Sequence, residues 1–339
     1  MTRMSRRTLV AAGAIVAVAG LSFVGLSAEA GAAAQPSRAA PSSGTGTRMP
    51  TDSIGTYDPQ NHSDATFYAS VLKGANEVPV TSGPKVGDKN GSATALMRIQ
   101  GDQVSYAFTW TGIGTPTMGH IHEGPTGANG DVQIPFFGTK LPAGRNSVIG
   151  TVKVTSKDLL ANLKTHPEQF YFNLHTAAFP GGAVRGQVHA LPEKLNLQAA
   201  MTADQVHSVV RGAQIYACTR QNDGSFKFTQ NNVDATLGGG IRHTFLKAGP
   251  AGPPQWVAPD GSGVTGKALT MIPNGGKNIP ELVLAATPEG RPGGELSSTQ
   301  IVMRLDTVGG VAPAGTCNPA AQPKAAVPYT ADYLFVTSK

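Results

Sequence analysis

The side chains of this chain best placed to do chemistry are two histidines in the run Gly119-His120-Ile121-His122-Glu123-Gly124-Pro125-Thr126-Gly127. On an extended strand successive side chains point to opposite faces, so His120 and His122 share a face and Ile121 takes the other. Two imidazoles so spaced stand roughly 6–7 Å apart along the strand. They can reach one metal ion together, and imidazole suits copper, zinc, iron and nickel. Glycine and proline downstream end the strand and open a loop. On these residues alone the pair is either half of a metal site or two polar side chains on a wet face.

The elements that must position the pair are strands. Residues 66–72, 92–99, 103–110, 132–137 and 148–154 carry apolar alternation, with Gly101-Asp102 as a tight hairpin signal. One short helix is predicted over 156–164, with Ser156 as N-cap, Asp158 in the first turn and Leu159, Leu160 and Leu163 as the apolar stripe. In 170–176, Phe170, Phe172 and Leu174 share one parity and face the core, which puts Tyr171, Asn173 and His175 on the outer face. In 183–189 Val184 and Val188 face inward, with Arg185, Gln187 and His189 outward. Short strands separated by turns at this density predict an all-β sandwich or barrel.

Several motifs here resemble one family. Ala75-Asn76-Glu77-Val78-Pro79, the Gly119–Gly124 run, Phe172-Asn173-Leu174-His175-Thr176 and Phe179-Pro180-Gly181-Gly182-Ala183-Val184-Arg185-Gly186-Gln187 occur in the order and spacing of the CHRD (chordin) domain, over about 64–191. The resemblance implies an immunoglobulin-like barrel similar to copper/zinc superoxide dismutases. In those enzymes a His-x-His strand and a later strand histidine bind copper on the outside of the barrel. By motif the matching positions are His120, His122 and His175, which implies a mononuclear three-histidine site for one copper ion. The pattern departs from the dismutases in three ways. Between His122 and His175 the only other histidine is His166, placed to cap a helix; the active-site arginine falls on Gly182; and the dismutase cysteine pair is absent.

The second half also reads as all-β, with strands over 212–218, 226–228, 279–285, 299–305 and 329–335. Gln214-Ile215-Tyr216-Ala217-Cys218, Trp256 with Asp260-Gly261-Ser262, 304–310 and Val327-Pro328-Tyr329-Thr330-Ala331-Asp332-Tyr333 resemble a bacterial and fungal family of unknown function over 205–339. His243 and Asp260 have no nucleophile motif beside them, which points to structural roles. The only cysteines, Cys218 and Cys317, lie in this half. In an exported chain such a pair forms a disulfide, and no CxxC or flanking histidine supports a thiolate metal site instead.

Export is the strongest signal of localisation. Ser5-Arg6-Arg7-Thr8-Leu9-Val10 precedes an Ala/Gly/Val-rich run, followed by Ala28-Glu29-Ala30 and Ala32-Ala33-Ala34 as cleavage patterns. Paired arginines before such a run resemble a bacterial twin-arginine signal. The expected organisation is therefore an export signal at 1–34, a disordered tether at 35–63 that includes His62, the CHRD-like domain at 64–191, a linker at 192–204 and a disulfide-bonded β domain at 205–339. The protein is expected outside the cell or in its envelope, touching membrane only through an uncleaved signal. Charged residues are 14% of the 339, the net charge of +6 is partly in the leader, and no Lys/Arg cluster remains, which excludes nucleic acid as a partner. Two classes of function remain. One is a non-catalytic binding module for an extracellular or envelope macromolecule, carrying the copper site. The other is a copper-dependent superoxide dismutase-like or copper-handling protein.

Overall fold

Aromatic and β-branched residues at alternate positions build the first sheet from nine antiparallel strands. They are β1 (Thr66–Lys73), β2 (Ser92–Gln100), β3 (Gln103–Thr111), β4 (Pro116–Glu123), β5 (Val132–Phe137), β6 (Ser147–Lys153), β7 (Phe170–Thr176), β8 (Phe179–Gln187) and β9 (His189–Leu191). The computed structural model describes residues 57–337 apart from Glu193, Asp204 and Ala251. The export signal expected at 1–34 and most of the expected tether lie outside the described residues. The strand order is β5-β4-β7-β8-β1-β2-β3-β6, with β9 beside β1. The sheet curls round its own core: Tyr106 of β3 and Phe136 of β5, far apart in strand order, have ring centroids 4.6 Å apart. Ile121, Phe172, Leu174 and Val184 point into that core, each such burial stabilising by roughly 1.5–3 kcal/mol. The predicted helix is α1 (Lys157–Thr165), capped by Ser156 Oγ, which accepts from Leu159 N, and buried through Leu160 and Leu163.

The second sheet is a closed antiparallel barrel in which each strand pairs with the next and the last returns to the first. Its strands are β10 (Gln205–Arg220), β11 (Phe226–Leu237), β12 (Arg242–Phe245), β13 (Pro254–Val257), β14 (Ser262–Ile272), β15 (Glu281–Gly290), β16 (Thr299–Gly309) and β17 (Lys324–Thr337). The chain is thus all-β, two barrel-like sheets with short helices. Cys218 and Cys317 form the expected disulfide, with Cα atoms 5.9 Å apart.

Two segments read as connectors are packed instead. Arg98 of β2 donates to Asp58 O (2.6 Å), Gln60 O (2.8 Å) and Asn61 Oδ1 (2.9 Å), fastening residues 57–61 of the expected tether to the sheet. The expected linker contains a second helix, α2 (Leu197–Ala203), begun by Asn196, whose Oδ1 accepts from Gln198 N and Ala199 N. Leu195, Leu197 and Ala200 are buried in a core that also holds Phe67, Ala69 and Val71 of β1 and Val283, Ile301 and Leu334 of the second barrel. This is why β1 is apolar on both faces.

Polar contacts complete that junction. Lys73 Nζ lies 3.3 Å from Asp332 Oδ2, His189 Nε2 3.5 Å from Glu281 Oε2, and Asn76 Nδ2 donates to Asp306 Oδ1 at 2.8 Å. His189, expected on an outer surface, is therefore covered by the second barrel. Asp306 Oδ2 is buried without a hydrogen-bond partner. Burial first, then the nearby Asp332 and Glu281 carboxylates, push the Asp306 carboxyl up to about 7. A folded value above the unfolded one means the charge costs stability above about pH 7, and the cost is gone below about pH 4. Asp306→Asn keeps the acceptor for Asn76 and tolerates the backbone φ of 50°. We expect it to stabilise by about 1–3 kcal/mol at pH 8 and by nothing at pH 4, read by urea denaturation at both. A gain that persists at pH 4 would exclude charge as the cause.

Candidate metal centre

The site is built on two neighbouring strands. His120 and His122 lie on β4 and His175 on β7, in a register that pairs His120 with Asn173, Met118 with His175 and His122 with Tyr171. Because Ile121, Phe172 and Leu174 go to the core, all three histidines fall on the opposite face, as their parity predicts. That face is outside the core but is not in water. His120 is 3% and His175 6% exposed.

Two loops cover it, one held by side chains of β8 and the other by the backbone of β8. Arg185 donates to Pro125 O (3.0 Å), Ala128 O (2.8 Å) and Asn129 Oδ1 (3.2 Å), and Gln187 Nε2 donates to Gly124 O (2.7 Å). Asn129 Nδ2 donates to Val78 O at 2.8 Å, joining this loop to the second one. That second loop runs along β8, with Gly87 N donating to Gly182 O and Asp88 N to Ala183 O. Arg185 and Gln187, predicted to point outward, do so only in the sense of leaving the core; Arg185 is buried.

Backbone carbonyls fix two of the three imidazoles. His122 Nδ1 lies 3.0 Å from Gly130 O, and His175 Nδ1 lies 3.0 Å from Pro180 O. A carbonyl only accepts, so both Nδ1 atoms carry the proton and both Nε2 atoms keep a lone pair. His120 Nδ1 lies 3.3 Å from His175 Nε2. The Nε2 atoms of His120 and His122 are buried and have no hydrogen-bond partner. One nitrogen from each ring falls within 4.8 Å of the others, and among the described residues no further such cluster of His, Cys, Asp or Glu occurs.

Electrostatics keep the rings neutral. Burial, then the neighbouring His175 and His122, push His120 down to about 3. Burial is also the first cause lowering His122 and His175. Three neutral imidazoles with lone pairs converging on one point are what a divalent transition metal needs. The 3.3 Å between His120 Nδ1 and His175 Nε2 suits two nitrogens each about 2 Å from a shared ion.

A column of rings supports the cluster. His122 stacks on Tyr171 (4.8 Å between centroids, 8° between planes), and the Arg185 guanidinium lies 3.4 Å from the Tyr171 centroid. Beside it Glu77, nine-tenths buried, accepts from Asn173 Nδ2 at 3.3 Å, and burial lifts its carboxyl to about 7. None of Glu77, Tyr171 or Arg185 stood out as a site residue in the sequence. The signal available was parity, since Tyr171 and Asn173 share the face of His175.

Residues 68–188 match the family model of the CHRD domain. The chain carries a CHRD domain. The matched span contains all three histidines, both covering loops and the Tyr171–Arg185 stack. Residues 240–337 match a second model, described as a protein of unknown function (DUF3455), which leaves β10 and β11 of the closed barrel outside the match. No curated protein and no solved structure matches the chain. Within the CHRD domain Gly182, the position that the resemblance equates with the dismutase arginine, has a φ of 136°, and a Cβ there would sit 2.5 Å from Glu77 Oε1. A side chain at that position would be strained by this φ and would have to displace the Glu77 carboxylate. His166 is the C-cap residue of α1, its N–H donating to Asn162 O, and its ring lies 3.7 Å from Glu168, apart from the triad.

Proposed function

We propose that this protein is an exported, non-catalytic binding module whose CHRD domain holds one copper ion on His120, His122 and His175. The observation that carries the reading is the convergence of the three imidazoles, one nitrogen of each within 4.8 Å of the others, with the buried Nε2 of His122 left without a hydrogen-bond partner. A buried polar atom left without a partner costs about 1–3 kcal/mol, a cost that metal coordination removes. The carbonyls of Gly130 and Pro180 hold the Nδ1 protons of His122 and His175, the outer-shell arrangement that orients metal-ligating imidazoles. Among divalent ions copper binds such nitrogen sets most strongly, and when bound it supplies one-electron redox chemistry. The Gly182 geometry argues against dismutase turnover and for binding alone.

Export rests on the paired-arginine leader and agrees with the disulfide, which persists in oxidising compartments. No helix among the described residues is long and apolar enough to cross a membrane. The proposed partner is a macromolecule of the cell envelope or its surroundings.

Elemental analysis decides the matter, on protein exported by its native host and purified without chelators, beside a His120/His122/His175 triple-alanine variant. About one copper per chain is expected, and none in the variant. Absence of metal from a correctly folded wild type would overturn the copper site.

A further inference from the structure

The barrel of the second half contains a cavity that the CHRD site does not explain. Its volume is about 390 Å³, and all eight strands, β10 to β17, contribute to its wall. It is therefore the lumen of the barrel. Eight strands give an interior that side chains just fill or that holds one small ligand, and cavities of this size at barrel mouths take small molecules.

The wall is apolar and aromatic. Trp256 is 1% exposed, its indole N–H has no hydrogen-bond partner, and His243 lies flat against it (4.4 Å, 5°) with Tyr333 at 5.6 Å. Met271 on the rim is 65% exposed. Against this wall stands one formal charge. Arg304 is the only charged side chain among the described lining residues, unless His243 is protonated; burial pushes His243 down to about 3, so it is neutral. Arg304 Nε and Nη2 donate to Pro280 O (3.2 and 2.7 Å), and among the described residues it forms no ion pair. It pairs across strands with Leu282, which also lines the cavity, whereas Glu281 alternates to the outside and meets His189. Tyr333 is a further hydrogen-bond neighbour of Arg304, and Glu281 acts on it only at a distance. An arginine facing an apolar cavity with no carboxylate in contact is a place for an anion, and the indole N–H is a second donor for an acceptor.

We propose that the lumen of this barrel binds one small amphipathic anion, its flat apolar body against Trp256 and Tyr333 and its carboxylate or sulfonate on Arg304.

The test uses the full-length protein and two dyes with the same ring body, titrated calorimetrically. 1-Anilinonaphthalene-8-sulfonate carries the anion and N-phenyl-1-naphthylamine does not. One sulfonate dye per chain is expected. Arg304→Gln should weaken the sulfonate at least about tenfold, a loss of about 1.4 kcal/mol, while the uncharged dye changes less than about twofold. Ala268→Trp, at an exposed lining position, should abolish both while leaving the melting temperature in place; it also keeps the idea testable if Arg304→Gln fails to fold. No saturable binding of either dye, or binding that Ala268→Trp leaves intact, would overturn the lumen site. Equal loss of both dyes in a folded Arg304→Gln variant would overturn the anionic preference.

Discussion

Arg185→Met should destabilise the protein by about 3–4 kcal/mol and weaken metal binding at a site the residue does not touch. Arg185 is 2% exposed, and its two Nη atoms donate to three acceptors in the 124–130 loop while the guanidinium lies over Tyr171. Methionine fills the volume but donates nothing, so Pro125 O, Ala128 O and Asn129 Oδ1 lose their partner. The consequence for metal runs through Gly130. Its carbonyl holds the Nδ1 proton of His122, and the loop that carries it is tied down by Arg185. A loosened loop leaves His122 free to rotate, and loss of such an outer-shell partner costs roughly 10–100-fold in affinity. Urea denaturation reads the first effect and competition with a chelator for copper reads the second. Arg185→Lys keeps the charge without the planar fork and should recover only a minor part of either. A variant that loses stability but binds copper as tightly as wild type would show that the loop does not orient His122.

The residues that converge on the site were legible one strand at a time. Alternation in Phe170–Thr176 put His175 on the face opposite Phe172, and the same rule put His120 and His122 opposite Ile121; β4 and β7 then lie side by side. What alternation cannot show is what lies over a face. The 124–130 segment is rich in glycine and reads as a surface loop, yet it lies against His122 because Arg185, some sixty positions further along the chain, gathers its carbonyls. Such a contact has no periodicity to betray it. Other misses had local signals. Phe67, Ala69 and Val71 are apolar on the face that one-sided patterning would leave polar, a sign that a second body packs there. Asn196 before Leu197-Gln198-Ala199-Ala200 is an N-cap followed by good helix formers, so α2 was readable within the expected linker. Closure of the second barrel was not readable. It depends on β10 pairing with β17, more than a hundred residues away, and short-range patterning carries no information about that pairing.

That closing seam is where the second large effect is expected. The last paired positions of β10 and β17 are Ala217 and Lys324, and the disulfide begins at the next residue, Cys218. Cross-linking residues 99 apart restricts the unfolded chain by about 4–5 kcal/mol on the entropy model. Part of this is offset, because the segments already hold each other through Cys218 N donating to Pro323 O and Cys317 N to Phe226 O, both at 2.9 Å. A Cys218→Ser/Cys317→Ser double variant should therefore lose about 3–4 kcal/mol, and reduction of the wild type should reproduce the loss. The effect should not stop at the barrel. Val283, Ile301 and Leu334 share a core with Phe67 and Val71 of the CHRD domain, so unfolding the barrel strips apolar cover from β1. The two halves should melt in one transition that moves as a unit in the double variant, with the copper signal lost at the same denaturant concentration as the barrel fluorescence. Copper retained after the barrel has unfolded would mean that the CHRD core stands without its neighbour. A loss below about 1 kcal/mol would mean that the seam's backbone hydrogen bonds, and not the disulfide, keep the barrel closed.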